Sequence, residues 1–118
     1  MSRTSTRELG REALALVAAR FRVLAEPVRL EMLQALGESE RTVSELAATV
    51  ETTAPNVSKH LRLLEEAGFV RRRSEGNTVV CALQGDTAFR LCDVVCDNLR
   101  GQHLATADLF PTAPARRR

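Results

Sequence analysis

Along most of the chain, apolar residues recur at helical spacing, and over one stretch the spacing shortens to that of strands. Residues 7–24 are rich in Ala and Leu, with Leu9, Leu16 and Phe21 among the larger apolar side chains, and read as a first helix. Polar positions are too few there for a helix solvated all round, so part of its surface is expected to pack on a partner. A second helix opens at Glu26-Pro27, where proline suits the first turn because its missing N–H costs nothing. Val28, Met32 and Leu36 share one face with Leu33 beside them, and Gly37 is expected to end this helix as its C-terminal cap.

Thr42-Val43-Ser44-Glu45 fits a capping box, in which the threonine hydroxyl and the glutamate carboxylate each serve the other residue's backbone N–H. The short helix it starts should turn Val43, Leu46, Ala47 and Val50 inward. Glu51-Thr52-Thr53 is a tight turn, and a fourth helix then runs from Ala54-Pro55, capped by Thr53, to Ala67. Val57, Leu61 and Leu64 mark its inner face, and Gly68 ends it. Residues 69–73 and 78–83 are two extended runs rich in β-branched and basic residues, joined by the hairpin turn Ser74-Glu75-Gly76-Asn77. Asp86-Thr87 caps a last helix that reaches about Gln102. The expected fold class is mostly α with a small β-hairpin, in the order α-α-α-α-β-β-α. One domain should cover residues 7–104, with disordered tails at 1–6 and 111–118.

Composition narrows this picture. A chain of 118 residues suits one domain with a modest core, and four Phe with no Trp or Tyr make that core aliphatic. The net charge of +2 says little, but basic residues gather at Lys59 to Arg62, at Arg71-Arg72-Arg73 and in the tail at Arg116-Arg117-Arg118. No apolar run approaches the roughly 20 residues of a membrane span, and no signal-peptide pattern opens the chain, so a cytoplasmic protein without membrane contact is expected. Three cysteines, an odd number, do not suggest a secreted disulfide framework. A Gly-rich phosphate loop and paired catalytic carboxylates in a recognisable setting are both missing. The histidines are only His60 and His103, so the sequence does not read as an enzyme and requires no cofactor.

A short helix, a tight turn and a second helix with polar residues outward make a helix-turn-helix. The second helix must offer polar side chains that fit a major groove about 12 Å wide. With Val57, Leu61 and Leu64 inward, Asn56, Lys59, His60 and Arg62 are free for groove or phosphate contact, and Thr53 and Ser58 are small enough to approach the backbone. Asn reads adenine in a two-pronged manner, while Lys and Arg read guanine or neutralise phosphate. Arg71, Arg73 and Asn77 belong to the basic hairpin, which would grip phosphate or the neighbouring minor groove. Strand alternation sets Arg71 and Arg73 on one face and Arg72 on the other. For His60 two readings stand side by side, a phosphate contact and a partly buried helix histidine. The competing reading of the whole is a winged helix that has moved from DNA to protein partners.

Leu24-Ala25-Glu26-Pro27-Val28-Arg29-Leu30 resembles the segment that opens the second helix of the ArsR/SmtB family of arsenical-resistance-type repressors. Val57-Ser58-Lys59-His60-Leu61, with Leu64 and Ala67-Gly68-Phe69-Val70, resembles that family's recognition helix, and residues 73–83 resemble its wing. The resemblance spans residues 13–99. It implies a winged helix-turn-helix homodimer packed through its first and last helices. It also implies a repressor that sits on a double-stranded inverted-repeat operator and leaves when an effector binds.

Family members often sense metals, and one familiar arsenic site places two cysteines in the helix before the recognition helix. Ser44-Glu45-Leu46-Ala47 stands there without a thiol, and Asp93 with a lone His103 is too little for a zinc-type site on the last helix. Cys92 and Cys96 remain, four residues apart on one helical face and able to share a soft ion such as As(III) or Sb(III), with Cys81 a less favoured third ligand. Two copies across a dimer seam would offer four thiolates. The same thiols suit an oxidant or sulfane-sulfur sensor. They also fit simple packing, because Phe89, Cys92, Cys96 and Leu99 form an apolar stripe.

Overall fold

A computed structural model describes residues 8–102 and 109–110, so both predicted tails and His103 lie outside the described residues. The elements are α1 (Arg11–Leu24), α2 (Pro27–Glu38), β1 (Arg41–Thr42), α3 (Val43–Thr49), α4 (Ala54–Glu66), β2 (Val70–Glu75), β3 (Thr78–Leu83) and α5 (Thr87–Gln102). By its contacts the chain divides into two units, one ending at Gly85 and one beginning at Asp86.

In the first unit, the predicted helices form for the expected local reasons. Pro27 occupies the start of α2, where the Glu26 carboxylate accepts from the Val28 N–H at 3.0 Å. The capping box of α3 is complete: Glu45 N–H donates to Thr42 Oγ1 at 3.1 Å, and Thr42 N–H to Glu45 Oε1 at 2.9 Å. Thr53 caps α4 by accepting from Asn56 N–H. At the far end of α4 the N–H groups of Gly68 and Phe69 return to the carbonyls of Glu65 and Leu64. Gly68 takes φ +85°, the left-handed turn of a Schellman motif, which delivers the chain directly into β2. The turn between α3 and α4 uses the same pair of bonds, Glu51 to Ala48 and Thr52 to Ala47. There the left-handed residue is Glu51 at φ 56°, a conformation that strains any residue with a Cβ.

The core of this unit is aliphatic, as composition required. Met32, Leu33 and Leu36 of α2, Leu46 and Val50 of α3, and Val57, Leu61 and Leu64 of α4 are buried together with Phe69, Val70, Val80 and Cys81. In contrast, Leu24 is the buried residue of α1, whose Leu14, Leu16, Val17 and Phe21 stay exposed.

Four expectations need correction. Helix α1 begins at Arg11 behind Gly10, not at residue 7, because glycine interrupts the helical run. Gly37 does not end α2, which continues to Glu38 with Ser39 as its cap. Strand β2 runs on to Glu75, leaving Gly76-Asn77 as the turn, and of these two only Gly76 takes a positive φ. The sheet has three strands, not two: β1 pairs with β3, giving the antiparallel order β1-β3-β2. A row across the sheet therefore reads Arg41, Cys81, Arg72, and the next reads Thr42, Val80, Arg73.

The second unit is α5 with the chain that follows it. Ala88 is buried; Phe89, Cys92, Cys96 and Leu99 are half-buried; Val94 and Val95 are the most exposed of its large apolar residues. Arg100 Nε donates to the carbonyl of Phe110 at 2.6 Å and ties the end of the helix to that segment.

Candidate DNA-binding surface

Burial of Val57, Leu61 and Leu64 fixes the rotation of α4, and that rotation decides which side chains face outward. Lys59 and Arg62 are exposed, with Ser58 half-buried between them. Together with Pro55 they line one side of an open cleft of about 470 Å³. The other side is Arg72 of β2. Its guanidinium is held by Glu65 at the end of α4, with Nε 3.0 Å and Nη2 2.7 Å from the same carboxylate oxygen. Helix and wing thus meet around a cationic hollow.

The remaining predicted residues are distributed around it. Thr53 is exposed at the helix start, and its hydroxyl is engaged as the cap. The Asn56 amide donates one hydrogen to Thr52 Oγ1 at 3.0 Å, which orients the side chain and leaves its other amide hydrogen and its carbonyl for a base edge. Asn77 sits exposed at the hairpin tip.

His60 faces a different neighbour. Its Nδ1 accepts from Arg29 Nη1 at 3.0 Å, while Arg29 Nε donates to the Val23 carbonyl at 2.6 Å. Partial burial, then the positive charges of Arg29 and Lys59, push the imidazole below its usual pKa, against a smaller opposing pull from Glu26. His60 is thus a half-buried helix residue whose Nδ1 already faces Arg29.

Arg71 and Arg73 share the opposite face from Arg72, as alternation requires. Arg71 Nη1 donates to the carbonyl of Leu83 at 2.6 Å. Arg73 pairs with Glu40 at 3.0 Å and with Glu75 at 3.1 Å, and the two carboxylates, Glu40 first, hold its guanidinium still more firmly protonated. Two carboxylates beside one guanidinium leave that spot locally acidic. Arg72 was the wing arginine not singled out from the sequence, yet it is the one that lines the cleft.

The cysteines do not form one cluster. Cys81 is fully buried in β3, and burial pushes its thiol up to about 11, so it is a poor thiolate donor. Cys92 and Cys96 lie on α5, each half-buried. Among the described residues, no group of three or more His, Cys, Asp or Glu side chains is assembled to hold a metal ion. Nor is any described helix long and apolar enough to cross a membrane.

Comparison with known proteins agrees with this architecture. Residues 24–73 match the family model described as a helix-turn-helix domain. The HTH-type transcriptional regulator KmtR of Mycobacterium tuberculosis is 39 % identical over 75 residues, and the match covers 64 % of this chain and 58 % of KmtR. The biofilm growth-associated repressor of Agrobacterium fabrum is 35 % identical over 79 residues, which are 67 % of this chain and 68 % of that repressor. Among solved structures, the homodimeric winged helix-turn-helix DNA-binding domain of a possible ArsR-family regulator from Mycobacterium bovis superposes with a TM-score of 0.67 at 29 % identity, covering 88 % of this chain and 94 % of that one. These relatives are regulators and not enzymes. With the capped recognition helix, the basic hairpin and these similarities together, the chain belongs to the ArsR/SmtB family of winged helix-turn-helix regulators.

Proposed function

We propose that this chain is a transcriptional repressor that works in the cytoplasm and binds an inverted-repeat DNA operator as a homodimer. The observation that carries the reading is the cationic face of α4, with Lys59 and Arg62 exposed beside Asn56 and Ser58. Lys59 and Arg62 supply phosphate or guanine contacts, Asn56 a base contact, and the hairpin around Asn77 reaches the neighbouring groove. Domain boundaries at residues 7 and 104 keep the recognition helix, the wing and both dimer helices in one functional unit. Dimerisation is assigned to α1 and α5. Leu14, Val17 and Phe21 form an exposed apolar stripe on α1, and Val94 and Val95 are exposed on α5. The Mycobacterium bovis relative is itself a homodimer.

The test is a gel-shift titration of the reduced protein on an imperfect inverted repeat, with half-sites about one helical turn apart, against random duplex. Lys59→Ala is expected to weaken operator binding while leaving the dimer intact in sedimentation. Equal affinity of the wild type for the repeat and for random duplex would remove the claim of a specific repressor.

A second reading concerns release from DNA. Cys92 and Cys96, four residues apart on α5, fit a soft ion as a pair, and a second copy is needed to supply further thiolates. On this reading As(III), Sb(III) or a related soft ion releases the operator, and Cys92→Ser with Cys96→Ser makes the repressor unresponsive. A double variant that responds to these ions like the parent leaves the cysteines as packing residues.

A further inference from the structure

We infer that Arg72 is the wing-side phosphate ligand of this protein: the hollow between α4 and β2 clamps one DNA backbone phosphate, with Ser58, Lys59 and Arg62 on the helix side. The inference rests on the DNA-binding reading above and assigns a part of that surface which the positions of the other wing arginines leave open.

Three observations converge on it. First, Pro55, Ser58, Lys59 and Arg62 stand at i, i+3, i+4 and i+7, so they form a single stripe of α4, and Arg72 faces that stripe across the hollow. Second, Arg72 is pre-oriented. Nε and Nη2 both rest on Glu65 Oε1, which fixes the guanidinium plane while Nη1 makes no hydrogen bond among the described residues. Glu65 cancels one of the three positive charges around the hollow, and Lys59 and Arg62 form no ion pair among the described residues, so the hollow keeps a net positive charge. Third, the alternatives are occupied. Arg71 is bonded to the backbone of Leu83, and Arg73 carries two carboxylates that a phosphate would have to approach.

A phosphodiester oxygen placed there would accept from Arg72 Nη1, Ser58 Oγ and a cation of the helix face. Charge-assisted bonds of this kind to an arginine fork are short and directional. The clamp spans two elements, so it also fixes the distance between the recognition helix and the wing along the DNA backbone. It carries no base information and should act alike on every sequence.

The experiment measures affinity for an operator duplex and a random duplex against salt concentration, in full-length wild type, Arg72→Ala, Arg72→Lys, Arg71→Ala and Arg73→Ala. Loss of one phosphate contact lowers the slope of log K against log salt by about 0.9. Arg72→Ala is expected to show that drop and to weaken both duplexes by the same factor. Arg72→Lys keeps the positive charge and should keep the slope, although it loses the two-pronged grip on Glu65. Thermal unfolding of each variant identifies any that fails to fold, and Arg72→Gln, which removes the charge but still has an amide N–H to donate to Glu65, then takes the place of Arg72→Ala with the same expected drop in slope. A wild-type slope in Arg72→Ala overturns the clamp. So does an equal drop in Arg72→Ala and Arg72→Lys, since the loss then follows the strut to Glu65 and not the charge. A larger drop in Arg71→Ala or Arg73→Ala than in the Arg72 variants moves the contact to the other face and overturns it too. If the wild type binds neither duplex, the DNA-binding reading fails and the clamp fails with it.

Discussion

Helices α1 and α4 are both amphipathic, and they differ in where the apolar side goes. In α4, Val57, Leu61 and Leu64 are completely buried within the chain, and the polar side is left outward. In α1 only Leu24 is buried, while Leu16 and Phe21 expose 68 % and 52 % of their surface. Helix α4 is complete as it stands, with its apolar side inside the chain and its polar side free. Helix α1 has an apolar face that a monomer leaves in water, and soluble monomers rarely keep large apolar patches exposed. The same amphipathic pattern thus suits reading in α4 and association in α1 under the function proposed above.

The comparison breaks most sharply in the core. Truncating Leu64→Ala should cost about 2–5 kcal/mol, the range for emptying a fully buried leucine site, as measured by urea unfolding at fixed protein concentration. A loss below about 1 kcal/mol would mean that α4 is not seated as described.

Next in size is Phe21→Glu on α1. It removes an apolar side chain worth about 1.5–3 kcal/mol on full burial and should weaken the dimer by roughly tenfold or more in sedimentation equilibrium. The secondary structure of the protomer should be unchanged in circular dichroism. If the association constant does not move, the exposed stripe of α1 is not the seam.

The smallest effect concerns His60, which ties α4 to α2. Its pKa lies below the ordinary 6.5 in the folded chain, so folding favours the neutral ring. The stability linked to it is present above about pH 6.5 and is lost as pH falls through the lower folded value, where protonation also removes the acceptor for Arg29. His60→Gln keeps an acceptor and cannot titrate, so it should flatten the acid side of the melting curve. Equal steepness below pH 6.5 in parent and variant would show that the Arg29 contact does not couple to protonation.

How much of this was legible in the sequence depended on how local the cause was. The capping box at Thr42 and Glu45, the Thr53 cap and the Gly68 stop each act within a few residues and were read correctly. Strand β1 was not, because two residues carry no periodicity and Arg41-Thr42 is extended only by pairing with β3, about forty positions away. The side of the wing facing α4 was equally hidden. Val80, Cys81 and Ala82 are buried in succession, so β3 shows no alternation that would mark an inner face for its partner β2. The stripe Phe89, Cys92, Cys96 and Leu99 has the spacing of a seam and is half-buried, whereas Val94, on the opposite side of α5, and Val95 are exposed. Period separates these faces but does not say which of them a second copy would cover.

Thr42 does two jobs at once, since it pairs with Val80 in the sheet and caps α3 through Glu45. A single residue therefore rivets the wing to the first helix of the reading motif. The Glu65–Arg72 bridge adds a second rivet at the far end of the recognition helix. The helices and the wing are thus tied at two separate places, one at the start of α3 and one at the end of α4. A substitution that loosens Thr42 or Glu65 would therefore shift the wing and the recognition helix relative to each other without replacing any of the outward-facing cations.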